Sequence, residues 1–165
     1  SGSNLLKILK KNHTNKDFKV IAIISNNNIS TKIKSYVGKF YKDVLIKEYQ
    51  KTLQKENFNN TDIIFSVGYM KVIEKRIINN FVVINLHPSI LPNYKGLMTQ
   101  KRMLINNEKY YGFTIHKVSP ELDDGQTISN KTKKIYTKNE SELLTKHKNL
   151  EHKFVYKQFV KYLLN

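Results

Sequence analysis

The sequence has no cysteine and no tryptophan, and only three prolines and six glycines in 165 residues. Without cysteine there is no disulfide scaffold, no thiolate metal site and no thiol nucleophile. No apolar run approaches the ~20 residues that a membrane-spanning helix needs, and no stretch joins a basic start to an apolar middle in the manner of a secretory leader. Acidic residues are few: 13 Asp+Glu face 29 Lys+Arg, so the net charge is 29 − 13 = +16. Arginine is scarcer still, limited to Arg76 and Arg102. Its planar fork is what matches phosphates and guanine edges, so this scarcity argues against a nucleic-acid reader and for a solvated coat of lysines. What is present is a globular composition, 39% hydrophobic and 11% aromatic, at a length that fits one domain over 1–165. The expected class is a soluble cytoplasmic protein with no membrane segment.

Apolar periodicity divides the chain into alternating elements. Residues 4–11 have helical spacing. Residues 18–25 (FKVIAIIS), 43–46 (DVLI), 62–67 (DIIFSV) and 81–86 (FVVINL) read as strands, three of them as near-continuous apolar runs. Helices are expected between them at 30–41, behind the cap residues Ser30 and Thr31, at 48–57 and at 71–79. The pattern then changes. Residues 87–96 hold two of the three prolines and form a shaped loop, and 97–106 is helical. Residues 111–119 and 126–136 pair as antiparallel strands around the acidic turn 120–125. A long helix, 139–163, is capped by Asn139 or Ser141. The expected fold is α/β, a Rossmann-like doubly wound and mainly parallel sheet with an antiparallel C-terminal portion and a long terminal helix.

In open α/β sheets, chemistry gathers beyond the carboxyl ends of strands. Strand 81–86 runs into Asn85-Leu86-His87, and alternation puts Asn85 and His87 on one side. The turn Pro120-Glu121-Leu122-Asp123-Asp124-Gly125 supplies carboxylates. Either motif alone also fits an ordinary strand end or a solvated hairpin loop. Together they offer an amide donor, an imidazole and an Asp with no nucleophilic Ser or Cys motif. That set suits proton movement and oxyanion stabilisation during acyl transfer to an external amine, without a covalent acyl-enzyme.

Residues 85–96, Asn-Leu-His-Pro-Ser-Ile-Leu-Pro-Asn-Tyr-Lys-Gly, resemble the "N-x-H-P-S-L-L-P-x-Y-x-G" signature of the folate-dependent formyltransferases. Leu122-Asp123-Asp124-Gly125 resembles the later "L-D-x-G" of that family, at a similar spacing. Gly2-Ser3-Asn4-Leu5, Gly96-Leu97-Met98-Thr99 and Glu151-His152 resemble motifs of the branch that formylates glycinamide ribonucleotide. The resemblance implies a fold and a set of roles. Asn85 binds the formyl oxygen, His87 stabilises the oxyanion and moves protons, and Asp123 pairs with His87 and takes the amine proton through water. Gly2, Ser3 and Asn4 hold the substrate phosphate at a helix start, where free N–H groups and the dipole favour an anion. Lys148 and Glu151 contact the ribonucleotide. Met70, Lys71, Val72 and Ile73, with Val118 and the 120–123 loop, line a pteridine slot. The implied co-substrate is 10-formyltetrahydrofolate with no metal, the implied partners are small molecules, and the expected assembly is a monomer or homodimer.

Some positions depart from the pattern. The family places a strand before its phosphate loop, and this chain begins inside that loop, so the expected sheet lacks that strand. Met98 and Gln100 stand where the family has histidines, an expected loss of support around Asp123. Asp124 replaces a glycine. It is expected to face solvent and to act on Asp123 only as a like charge. The alternatives within these expectations are formyl transfer to a nucleotide-linked amino sugar and a catalytically impaired relative.

Overall fold

The computed structural model describes residues 2–164. They form two compact units, one ending at Val83 and the other starting at Ile84. Among the described residues no helix is long and apolar enough to cross a membrane.

The first unit opens with α1 (Ser3–Asn15), whose apolar stripe buries Ile8 and Leu9. Gly2 caps it with φ 57°, a left-handed conformation that glycine adopts most readily, and a Cβ there would displace the end of the Ile33 side chain, 2.5 Å away at Cδ1. The strand β1 (Ala22–Ile24) pairs in parallel with β2 (Leu45–Lys47), Ile23 opposite Ile46. Two further bonds, Leu45 N–H to Ile21 O and Ser25 N–H to Lys47 O, extend the pairing by one residue each way. The strand expected over 18–25 is therefore shorter, because its partner offers only that length. Between them runs α2 (Thr31–Phe40), with Ser30 at its N-cap position, where its carbonyl accepts the Lys34 N–H at 3.1 Å and its side chain makes no capping bond. Leu9, Ile23, Ile29, Ile33 and Val37 form the core these elements share.

Residues 48–57 do not form the expected helix. Only Lys55–Phe58 turn, as a 3₁₀ helix. The segment has no apolar stripe to bury, and its polar groups are used elsewhere. Gln50 N–H bonds to Ser25 O at 3.0 Å, and Glu48 accepts the Ile29 N–H at 2.5 Å while pairing with Lys34 at 2.7 Å. The strand β3 (Ile63–Val67) forms as expected and ends at Gly68, whose φ is 73°. The helix expected over 71–79 contracts to α3 (Lys75–Ile78), with Ile77 as its buried residue.

The second unit is antiparallel. The strand β4 (Val82–His87), which begins in the first unit, pairs with β5 (Tyr110–Lys117), and β5 pairs with β6 (Thr127–Lys134). All of β5 between its end residues is buried, whereas β6 is largely exposed and carries lysines, which blunt an edge. The loop after β4 contains a cis Leu91–Pro92 peptide and leads into α4 (Thr99–Ile105). The helix α5 (Glu140–Leu163) packs on β5 and α4, and Asn139 Oδ1 caps it by accepting Glu142 N–H at 3.0 Å.

Candidate active site

The end of β4 places Asn85 and His87 on one side, as alternation requires. His87 is 5% exposed. Its ring nitrogens both face oxygens: Nε2 lies 3.0 Å from Tyr94 O, and Nδ1 lies 3.3 Å from Asp123 Oδ2. A carbonyl and a carboxylate only accept, so each ring nitrogen faces an acceptor. The fold thus brings together two residues 36 positions apart in sequence (123 − 87).

Asp123 is reached by a turn of unusual geometry. Its φ is 47°, a left-handed conformation that Asp adopts more readily than most residues. Two residues later a Cβ on Gly125 would lie 1.6 Å from Lys117 O. Only glycine lets the turn close so tightly onto the end of β5. The Asp123 carboxylate is then held by the Gly96 N–H, 2.8 Å from Oδ2. The loop that supplies this amide is itself pinned. Thr114 Oγ1 donates to Ser89 O at 2.8 Å and accepts Leu91 N–H at 3.1 Å, Ser89 Oγ donates to Asn93 O at 2.6 Å, and Arg102 Nη2 donates to Lys95 O at 2.6 Å.

One functional residue escaped the sequence reading. The β4–β5 register sets His116 opposite Asn85. Its Nδ1–H donates to Lys117 O at 2.9 Å, which leaves Nε2 as the acceptor for an Asn85 Nδ2–H at 3.3 Å. Burial lowers the His116 pKa below the usual imidazole value, which favours this neutral tautomer. Nε2 also lies 3.8 Å from Asp123 Oδ1. His116 therefore fixes one amide hydrogen of Asn85. No short motif marks it.

Three positions depart from the family motif, Met98, Gln100 and Asp124. Gln100 is buried, and its Nε2–H donates to His147 Nδ1 at 2.8 Å, so α5 supplies an imidazole to this neighbourhood. Met98 is exposed and caps α4 in a left-handed conformation. Asp124 is exposed, as expected, yet it is not alone: its carboxylate pairs with Lys95 Nζ.

Burial pushes the His147 pKa from 6.5 down to about 4, with a backbone contact at Gly112 opposing it. A histidine held neutral in the fold and protonated when unfolded stabilises least at low pH. Its contribution is intact above about 6.5 and is lost as the pH falls toward 4, by up to about 3 kcal/mol. Urea midpoints should accordingly fall between pH 7 and pH 4.5. The His147→Leu variant, though less stable at pH 7, should show a shallower fall over that window. An equal slope in both would assign the acid loss to other groups.

The remaining expected site residues lie as follows. Glu151 is buried on α5, with its Oε1 3.9 Å from His147 Nε2, whereas Lys148 is exposed. Val118 is half-buried at the start of the acidic turn. In the first unit, Gly2, Ser3 and Asn4 form the start of α1, Met70, Lys71 and Val72 are exposed, and Ile73 is buried.

Comparison with known proteins agrees with this geometry. Residues 1–159 match the family model described as formyl transferase. A curated phosphoribosylglycinamide formyltransferase of Escherichia coli is 33% identical over 69 residues, 41% of this chain and 32% of that protein. The bifunctional polymyxin resistance protein ArnA of Wigglesworthia glossinidia brevipalpis is 31% identical over 142 residues, 78% of this chain and 22% of that protein. These matches thus span well under half the length of either curated relative. Among solved structures, phosphoribosylglycinamide formyltransferase from Coxiella burnetii superposes with a TM-score of 0.83 at 26% identity, covering 99% of this chain and 82% of that one.

Proposed function

Because the chain belongs to the formyl transferase family, we propose that it transfers a formyl group from 10-formyltetrahydrofolate to the amine of glycinamide ribonucleotide, a step of purine biosynthesis. The observation that carries this reading is the buried His87–Asp123 contact beside the Asn85 amide, with no nucleophile among them. When bound, the folate supplies an activated formyl carbon and leaves as an amine. The residues of the chain do the rest. The second Nδ2–H of Asn85 donates to the formyl oxygen. As negative charge develops there, the His87 Nε2–H that rests on Tyr94 O turns to the same oxygen, a tightening expected only in the reacting complex. Asp123 holds His87 through Oδ2, accepts the proton of the attacking amine through Oδ1, directly or through water, and returns it to the leaving folate nitrogen as that nitrogen's bond to the formyl carbon breaks.

Exposed apolar side chains suit a planar co-substrate: Leu97 and Leu122 flank the Gly96–Asp123 hydrogen bond, each about two-thirds exposed. We assign the pteridine to the 120–123 loop and Val118, with Met70, Lys71, Val72 and Ile73 as the family counterpart in the first unit. Gly2, Ser3 and Asn4 are assigned to the phosphate, because the first N–H groups of α1 point to its N-terminal end. Lys148 and Glu151 are assigned to the ribonucleotide. The choice of acceptor is tested by competition. Offered glycinamide ribonucleotide, a nucleotide-linked amino sugar and methionyl-tRNA at equal concentration, the chain should formylate the first with the highest kcat/KM. Preference for the amino sugar would move it to another branch of the same chemistry.

A further inference from the structure

Two residues that no role in formyl transfer absorbs meet beside the reacting pair. Lys95 fills a variable position of the first motif, and Asp124 fills the x position of the second, where the family usually has glycine. Their side chains form an ion pair, with Lys95 35% and Asp124 52% exposed. We propose that this pair is a strap: Lys95 and Asp124 are positioning residues that keep the turn carrying Asp123 seated on the loop carrying the Tyr94 carbonyl and the Gly96 amide.

The two sides of the strap are unequally anchored. The Lys95 side is rigid. Its carbonyl accepts from Arg102 Nη2 at 2.6 Å, the Arg102 guanidinium lies over the Tyr94 ring, and the Tyr94 hydroxyl donates to Glu108 at 2.8 Å. The Asp124 side has no apolar anchor, since Glu121 and Leu122 are exposed along with Asp124 itself. The base of that turn is closed by Lys117 N–H to Gln126 O at 2.8 Å, and its tip is tied to the neighbouring loop by the Gly96 N–H on Asp123 and by the Lys95 pair, with His87 and His116 also facing Asp123.

The direct readout is amide exchange at Gly96, because that N–H donates to Asp123. It needs no substrate. Exchange should quicken about two- to fivefold in Lys95→Met and in Asp124→Asn, the range an exposed ion pair supports. The swap of Lys95→Asp with Asp124→Lys should return it to the parent rate. At 1 M salt, where the screening length is about 3 Å, the parent should exchange as fast as Lys95→Met. In turnover, the same single variants should lose two- to fivefold in kcat with the KM for the ribonucleotide unchanged. Unchanged Gly96 exchange in the single variants overturns the strap, as does a swap that stays as fast as they are. The kinetic arm rests on the formyl-transfer reading. A parent chain that transfers no formyl group, with Gly96 exchange behaving as above, overturns that reading and leaves the strap intact.

Discussion

Replacing His87 with alanine should lower kcat by about 10²–10³-fold, a loss of about 3–4 kcal/mol of transition-state stabilisation, as expected for removal of one oxyanion donor. The geometry argues for a loss in kcat over binding. The ring faces Tyr94 O and Asp123 Oδ2, both parts of this chain, and the apolar side chains assigned to the folate lie on Leu97 and Leu122. The folate Kd should therefore change little. The substitution also leaves a cavity at a buried position, so the variant is expected to be less stable and is to be assayed well below its melting temperature. A variant with near-parental kcat would remove His87 from the chemistry.

Asp123→Asn should abolish most activity, by about 10²–10⁴-fold, while the fold stays intact. The amide can reproduce the present contacts. Its oxygen takes the place of Oδ2, accepting from Gly96 N–H and from His87, and its nitrogen takes the place of Oδ1, facing His116 Nε2, an acceptor. Asparagine also tolerates the left-handed backbone at this position. What the amide cannot do is take a proton from the attacking amine. Loss of kcat/KM with an unchanged melting temperature would separate the base from a structural role. If Asp123→Asn stayed active while Asp124→Gly were dead, the base would be the other aspartate. If both stayed active, the acidic turn would be an ordinary solvated hairpin.

The elements that could be read from the sequence are those whose apolar pattern and punctuation agree. The run 62–67 closed by Gly68, the run 81–86 leading into His87, and the helix behind Asn139 all form nearly as spaced. The helix expected over 48–57 fails because helix-favouring residues without an apolar stripe have nothing to pack, and Glu48 and Gln50 bond to a neighbouring loop instead. At the site, His87 and Asp123 could be found because each sits in a local motif that resembles a family. His116 and His147 could not. The first is delivered opposite Asn85 by strand register, the second opposite Gln100 by packing of α5 on α4, and neither pairing leaves a mark on nearby sequence. Asp124 shows the same limit from the other direction. Its chain neighbour Asp123 was visible, but its partner Lys95, 29 residues earlier, was not.

Asn85, His87 and Asp123 are proposed to move a formyl group directly from folate to an amine. A single turnover with 10-formyltetrahydrofolate labelled in the formyl carbon, chased with glycinamide ribonucleotide and quenched in denaturant, tests it most directly. The account predicts label on the amine of the ribonucleotide and on unreacted folate, with none on the protein. Label covalently bound to the chain, or released as formate with none on the ribonucleotide, would contradict it.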